Sequence, residues 1–260
     1  MKTTQLVRTL LVMGAFASAL PPTNAAEIIS NGGFESAFTG WTRADQSGSD
    51  GTFFLQTGTA SPVNGDPVAA PPGPTHAAMT DAQGPGTHVL YQDFLVSSPV
   101  ASALLSFDAF LGNRAGAFFV PNPASLDFAA AAFNQQARVD ILLGAASAFS
   151  VAGGDVLLNL WQTNPGDPLV SGYSAHAVEI AALLDAHLNT PLRLRWAETD
   201  NVSTFQFGVD NVSLLTSPVP EPSSWATGSM GVLLGGAYLG LRRRKNLPVT
   251  SVPIGNVISA

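Results

Sequence analysis

Short stretches of alternating apolar and polar residues recur along the chain, separated by turn residues. Thr87 to Val96 sets Val89, Tyr91 and Asp93 against Leu90, Gln92 and Phe94. Ala103 to Phe110 places Leu105, Phe107 and Ala109 on one face. Pro191 to Glu198 points Leu192, Leu194 and Trp196 inward and Arg193, Arg195 and Ala197 outward. A period of two marks a strand with one buried face. Glu27 to Ser30, Gly51 to Thr57, His76 to Thr80, Ala137 to Leu143, Asp155 to Gln162 and Phe205 to Leu215 also read as strands. In the last of these, Phe205, Phe207 and Val209 are in phase before Asp210, and Val212 and Leu214 after it. That one-residue phase change predicts a β-bulge at Val209–Asp210. A helical spacing appears once, at Ile180, Leu183, Leu184 and His187, and predicts a short helix over Val178 to Leu188.

Between these elements, Thr42 to Gly51 reads as a polar loop. Gly58 to Thr75 holds Pro62, Pro67, Pro71, Pro72 and Pro74, too many for regular structure, and is a long loop. Gly112 to Gln135, broken by Pro121 and Pro123, is a loop with at most a helical turn. Many short strands, one short helix and no internal repeat predict an all-β, two-sheet antiparallel sandwich over residues 27–216.

The two ends follow other rules. Lys2 and Arg8, an apolar run from Leu10 to Leu20 and small residues up to Ala26 read as a secretory signal peptide, residues 1–26. At the other end Val219-Pro220-Glu221-Pro222 precedes Trp225 to Leu241, which carries no charge, and then Arg242-Arg243-Arg244-Lys245. An apolar segment stopped by cations predicts a transmembrane helix with its basic end held in the cytoplasm. Residues 246–260 form a tail beyond it.

Composition narrows the function. The net charge of −7 and the absence of a basic cluster within 27–216 exclude a nucleic-acid surface. With no cysteine there is neither a disulfide nor a thiolate zinc site. His76, His88, His176 and His187 form no His-x-x-x-His pair, and Gly172-Tyr173-Ser174-Ala175-His176 lacks the last glycine of a nucleophile elbow. Asp108 and Asp140, on strands, read as solvated edge residues. Asp45 to Gly51 alternates oxygen-bearing side chains but has Asp50 where an EF-hand needs glycine and Gln56 where it needs an acid, so it reads as a solvated loop. No catalytic residue is assigned.

Two resemblances add to this. The Pro-Glu-Pro motif, apolar segment and basic cluster of residues 217–245 resemble the PEP-CTERM sorting signal of Gram-negative bacteria. That resemblance implies secretion, recognition by the membrane protease exosortase, an inner-membrane precursor and a final place at the cell surface or outside it, in bacteria that make exopolysaccharide. Such signals usually end within a few residues of the basic cluster, whereas here Asn246 to Ala260 follow. The opening Asn31-Gly32-Gly33-Phe34-Glu35 with Gly40-Trp41, the stretch Leu192 to Trp196 and the closing Phe207 to Leu214 resemble the galactose-binding-like jelly roll of carbohydrate-binding modules. This second resemblance covers both ends of the domain and leaves residues 58–135 unmatched. It implies a structural calcium held by Glu35 and Asp210 with backbone carbonyls near Asn31 and Gly33.

Glycan binding needs exposed aromatic faces backed by hydrogen-bonding groups. Of Trp41, Tyr91, Trp161, Tyr173 and Trp196, the first and last read as core, and Trp161 and Tyr173 are the expected surface aromatics. The sequence reading is therefore a non-enzymatic surface or matrix protein linked to exopolysaccharide and biofilm. A carbohydrate-binding module with a defined glycan is the alternative, and a glycan hydrolase with paired carboxylates a remote one.

Overall fold

A computed structural model describes residues 25–219. Eleven strands and one short helix follow in chain order: β1 (Ala26–Glu27), β2 (Thr42–Asp45), β3 (Thr52–Gln56), β4 (Ala77–Asp81), β5 (Gly86–Phe94), β6 (Val100–Asn113), β7 (Gln135–Leu143), β8 (Val156–Gln162), β9 (Ser174–Glu179), α1 (Ala181–Ala186), β10 (Leu192–Asp200) and β11 (Phe205–Pro218). They form two antiparallel sheets. One has the order β3-β4-β11-β6-β9, with β1 also on β11, and the other β2-β5-β10-β7-β8. Most connections cross from one sheet to the other. Together the two sheets make an all-β sandwich.

The inward faces match the alternation in the sequence. Leu90, Val139, Ile141, Leu192, Leu194 and Trp196 meet Leu105, Phe107, Phe205, Phe207, Val209 and Leu214 across the gap. Trp196 lies at the centre, fully buried, with its ring edge-on to Trp41 at 5.5 Å and to Phe107 at 5.7 Å. Each fully buried large apolar side chain contributes about 1.5–3 kcal/mol relative to exposure. These rings therefore outweigh any one surface contact.

Several elements differ from the sequence expectation. Thr42 to Asp45, expected as loop, pairs with Tyr91 to His88 as an edge strand. Glu27 to Ser30 is a strand only at its first residue, although Ile28 N still donates to Leu214 O at 3.0 Å. The expected helix over 178–188 is shorter, because Val178 and Glu179 pair with Leu105 and Leu104 as the end of β9. The helical spacing there was real only for 181–186. The bulge lies one residue later than expected, between Asp210 and Ser213, with Asn211 at φ 50°.

At that bulge the two ends of the domain meet. Val212 N donates to Gly32 O at 2.9 Å. A Cβ on Gly32 would stand 1.7 Å from Val212 O, so only glycine fits. The flanking Asn31 and Phe34 both take positive φ, 52° and 55°, which is costly for a residue as large as Phe. That strain is offset by packing: Phe34 is fully buried against Trp41, whose Nε1 donates to Asn31 O at 3.0 Å.

Gly32→Ala should therefore force the opening turn off β11. The expected cost is about 3 kcal/mol, a drop in Tm of roughly 6–12 °C for a domain of this size. A thermal melt within 2 °C of the wild type (about half a kcal/mol) would show that the close approach is not needed.

Candidate functional site

Glu35 and Asp210 are brought to the same segment, and each holds it by its backbone. Asp210 Oδ2 accepts from Gly73 N at 2.8 Å and its Oδ1 from Asn211 N at 2.7 Å. Glu35 Oε1 accepts from Thr75 N at 2.9 Å and His76 N at 3.0 Å. Its Oε2 accepts from the Thr75 hydroxyl and lies 3.1 Å from His76 Nδ1. These bonds, the Thr75 hydroxyl first, lower the Glu35 pKa to about 2. Asp210 moves the other way, to about 6, because burial outweighs its backbone bonds and the Asp108 and Glu35 charges oppose ionisation.

With these bonds in place, Glu35 has no unengaged oxygen to offer the expected calcium. The ion takes six to eight oxygens, yet the lone pairs of Glu35 are already directed at residues 75–76. Among the described residues no three His, Asp or Glu groups converge as metal ligands. The two carboxylates act instead as a clamp on the end of the 58–75 loop. That loop lays Val68 over Met79 and Phe110 on the outer face of the β4-β11-β6 sheet.

Neither expected surface aromatic offers a free ring. Trp161 is half-buried at the open side of the sandwich between β8 and β9, stacked on Phe207 at 5.8 Å and tilted against His176 at 5.5 Å. Tyr173 is half-buried against Phe110, and its hydroxyl donates to Gln56 Oε1. Burial first, then the charges of Asp210 and Asp108, push its phenol far above the ordinary range. Of the sorting motif, Val219 is described and exposed. Pro220, Glu221, Pro222, the apolar segment 225–241 and Arg242, Arg243, Arg244 and Lys245 lie outside the described residues.

Asp140 is the opposite of a solvated edge residue. It is fully buried and paired with both Arg138, at 2.7 Å, and Arg195. The two guanidiniums hold its pKa below the usual range despite burial, which is the largest opposing effect. Arg195 in turn donates to Ala148 O and Ser150 O, each at 2.7 Å. Arg193 grips Asp93, Gly144 O and Ala146 O. These arginines do face away from the core, as expected. The segment 144–155 then covers them.

The residues best placed to meet a ligand lie at one end of the sandwich, where β10 turns into β11. A pocket of about 250 Å³ is lined by Gln83, Gly84, Pro85, Asp200, Asn201, Val202, Ser203 and Thr204. Asp200 accepts from Gly86 N at 2.8 Å, and burial raises its pKa to about 7. The next inward carboxyl on the strand, Glu198, is fully buried and pushed well above its ordinary range by the same cause. Asn201 ties the pocket to the 125–134 loop: its Oδ1 accepts from Asn134 N at 2.7 Å, and its Nδ2 donates to Ala132 O at 2.9 Å. Phe133, between those two anchors, is 65% exposed, the highest value among the exposed large hydrophobics. Its ring is tilted against that of Phe119, with centroids 5.3 Å apart. The sequence hid this residue, because Phe133 sits in an Ala-rich loop with no periodicity to mark an outward ring.

No family model matches the chain, and no curated protein matches it. Similar solved structures include the enzymatically active domain of tailspike protein 4 of Bacteriophage CBA120, at 14% identity and TM-score 0.41 over 73% of this chain. The chain spans 21% of that structure's length. A cyclase from Fischerella sp. TAU is 20% identical with TM-score 0.41, covering 76% of this chain and 100% of its own. TmCBM61 in complex with beta-1,4-galactotriose is 10% identical with TM-score 0.39, covering 74% and 99%.

The carboxylates set the dependence of stability on pH. Asp200 and Asp210 bind protons more tightly folded than unfolded, so they cost stability as pH rises from about 4 toward their folded values of about 7 and about 6. Glu35, Asp81 and Asp140 are lowered, so their contribution is present above about pH 4 and is lost as pH falls toward their folded values. Tm should therefore peak between about pH 4 and 5 and fall toward pH 8, and Asp200→Asn should flatten the alkaline limb. A Tm that rises steadily from pH 5 to pH 8 would contradict this assignment.

Proposed function

We propose that the chain is an exported, non-enzymatic surface or extracellular-matrix protein whose β-sandwich binds glycan. The observation that carries this reading is the polar pocket at the β10–β11 end, whose Asn201 is hydrogen-bonded to both chain neighbours of the exposed Phe133. An aromatic face stacks on the C–H face of a sugar, and hydroxyl, amide and carboxylate groups bond its hydroxyls. Gln83, Ser203 and Thr204 in the lining supply such groups. The volume is below the roughly 300–1,000 Å³ of a drug-sized site, so the pocket suits one sugar ring of a chain. Asp200 is the one carboxylate among the residues lining it, whereas glycoside hydrolysis by paired carboxylates needs two. That favours binding over hydrolysis.

Export and sorting rest on the sequence: the N-terminal signal, the Pro-Glu-Pro motif, the apolar segment and the basic cluster. On this reading the partners are the general secretion machinery, exosortase, the inner membrane during sorting, and exopolysaccharide at the destination.

Screening the full chain in mild detergent against a glycan array should give selective binding. Phe133→Ala should weaken it about tenfold, the loss of one stacking contact of about 1.4 kcal/mol. Absence of binding to every glycan would overturn the reading. Intact-mass analysis of fractionated native protein tests the sorting step separately. A product ending near Pro222 is expected, and a surface-located product that retains Ala260 would exclude removal of the tail.

A further inference from the structure

The open side of the sandwich between the edge strands β2 and β3 holds a second groove, of about 600 Å³, lined by Phe38, Trp41, Thr42, Arg43, Asp45 and Thr52 among others. Its main feature is an arginine without an acid. Residues 25–219 contain five arginines and no lysine, against seventeen carboxylates. Arg114, Arg138, Arg193 and Arg195 each pair with one of those carboxylates. Among the described residues Arg43 pairs with none. The acid nearest along its strand face, Asp45, is turned away to His88 Nδ1, at 2.8 Å.

Arg43 is nevertheless held in place. Its guanidinium lies 4.5 Å from the centre of the Phe38 ring, and Nη1 donates to Phe53 O at 2.9 Å across the gap between the sheets. A guanidinium has five N–H donors in a fixed planar fork. One contact to a carbonyl and one aromatic face fix its plane while leaving an edge unused. An unused arginine edge matches the two oxygens of a carboxylate. Thr42, Thr52 and Asp45 line the same groove, and Asp45 Oδ2, which His88 does not engage, is an acceptor for a hydroxyl donor.

We propose that the β2–β3 groove binds a hexuronate residue of a glycan, with Arg43 taking its carboxylate in a bidentate pair. The charge of the rest of the domain narrows the ligand further. Seventeen carboxylates repel a long polyanion, so the ligand carries isolated or terminal uronates among neutral sugars. This site is separate from the pocket at the β10–β11 end, and each is tested without the other.

The experiment is a calorimetric titration of the full chain in mild detergent. The probes are a neutral oligosaccharide bearing one glucuronate, the same compound with its carboxyl reduced to the alcohol, and a polyglucuronate of equal length. Reduction of the carboxyl should cost at least tenfold in Kd, and the polyglucuronate should bind more weakly than the single-uronate compound. R43Q should bind the acid and its reduced form alike. R43K, which keeps the charge and loses the fork, should fall between wild type and R43Q, and it guards against a folding artefact. Phe133→Ala should leave this titration unchanged. Equal binding of the acid and its reduced form by the wild type, no binding of either, an R43Q that still prefers the acid, or a tighter complex with an acidic peptide than with the uronate would each overturn the proposal.

Discussion

The contact between Gly32 and the backbone of Val212 is the constraint on which the rest of this domain depends. It joins the first turn of the sandwich to the bulge in its last long strand, at a distance that no side chain can share. The bulge flips the phase of β11, so Val209 points inward before it and Val212 and Leu214 point inward after it. Asp210 is thereby left on the outer face, where it meets Gly73. The opening turn, strained at Asn31 and Phe34, aims Trp41 at Trp196 and starts β2 in register with β5. The core, the clamp on the 58–75 loop and the groove beside Arg43 all follow from where that one approach places the chain.

Around this core both sheets bury polar groups on their outer faces, and the two faces do so by different means. On the β4-β11-β6 side, carboxylates accept from backbone N–H groups of the 58–76 segment. On the β5-β10-β7 side, arginines donate to backbone carbonyls of the 144–155 segment. A buried charge left without a partner is destabilising by about 3–5 kcal/mol. The Arg138–Asp140–Arg195 set avoids that cost: Arg195 donates to the main-chain oxygens of Ala148 and Ser150 as well as to Asp140, and Asp140 also accepts from Arg138 and from Asn159 Nδ2. With so few charges in the chain, most of the described arginines are committed to covering a sheet.

The layered plan was legible in the sequence wherever a strand has one face in the core. The period of two at Leu192, Leu194 and Trp196, and at Leu105, Phe107 and Ala109, reports that directly. So does the phase change near Asp210. Other features were not legible because local pattern and tertiary pairing disagree. Thr42 to Asp45 has the composition of a loop and becomes a strand only because β5 offers it an edge. Val178 and Glu179 fall within the range of the expected helix, yet β6 recruits them. Outward residues were expected to be wet, and Arg195 and Asp140 are dry, since alternation says which way a side chain points and not what lies over it. The candidate site was read less well for the same reason: Trp161 and Tyr173 have the right chemistry but are half-covered, while Phe133 and Arg43 lie in segments whose exposure only the folded chain defines.

The grip of Arg193 and Arg195 on the 144–155 segment has an evolutionary side. Both hold it through the carbonyls of Gly144, Ala146, Ala148 and Ser150, which every amino acid possesses. The side chains of those four positions are not what is recognised. Drift is therefore limited by the local fit rather than by the arginines: a Cβ on Gly144 would stand 3.0 Å from Pro191, Ala148 packs on the Val89 cluster and Ser150 bonds Asp155, which leaves Ala146 as the position freest to change.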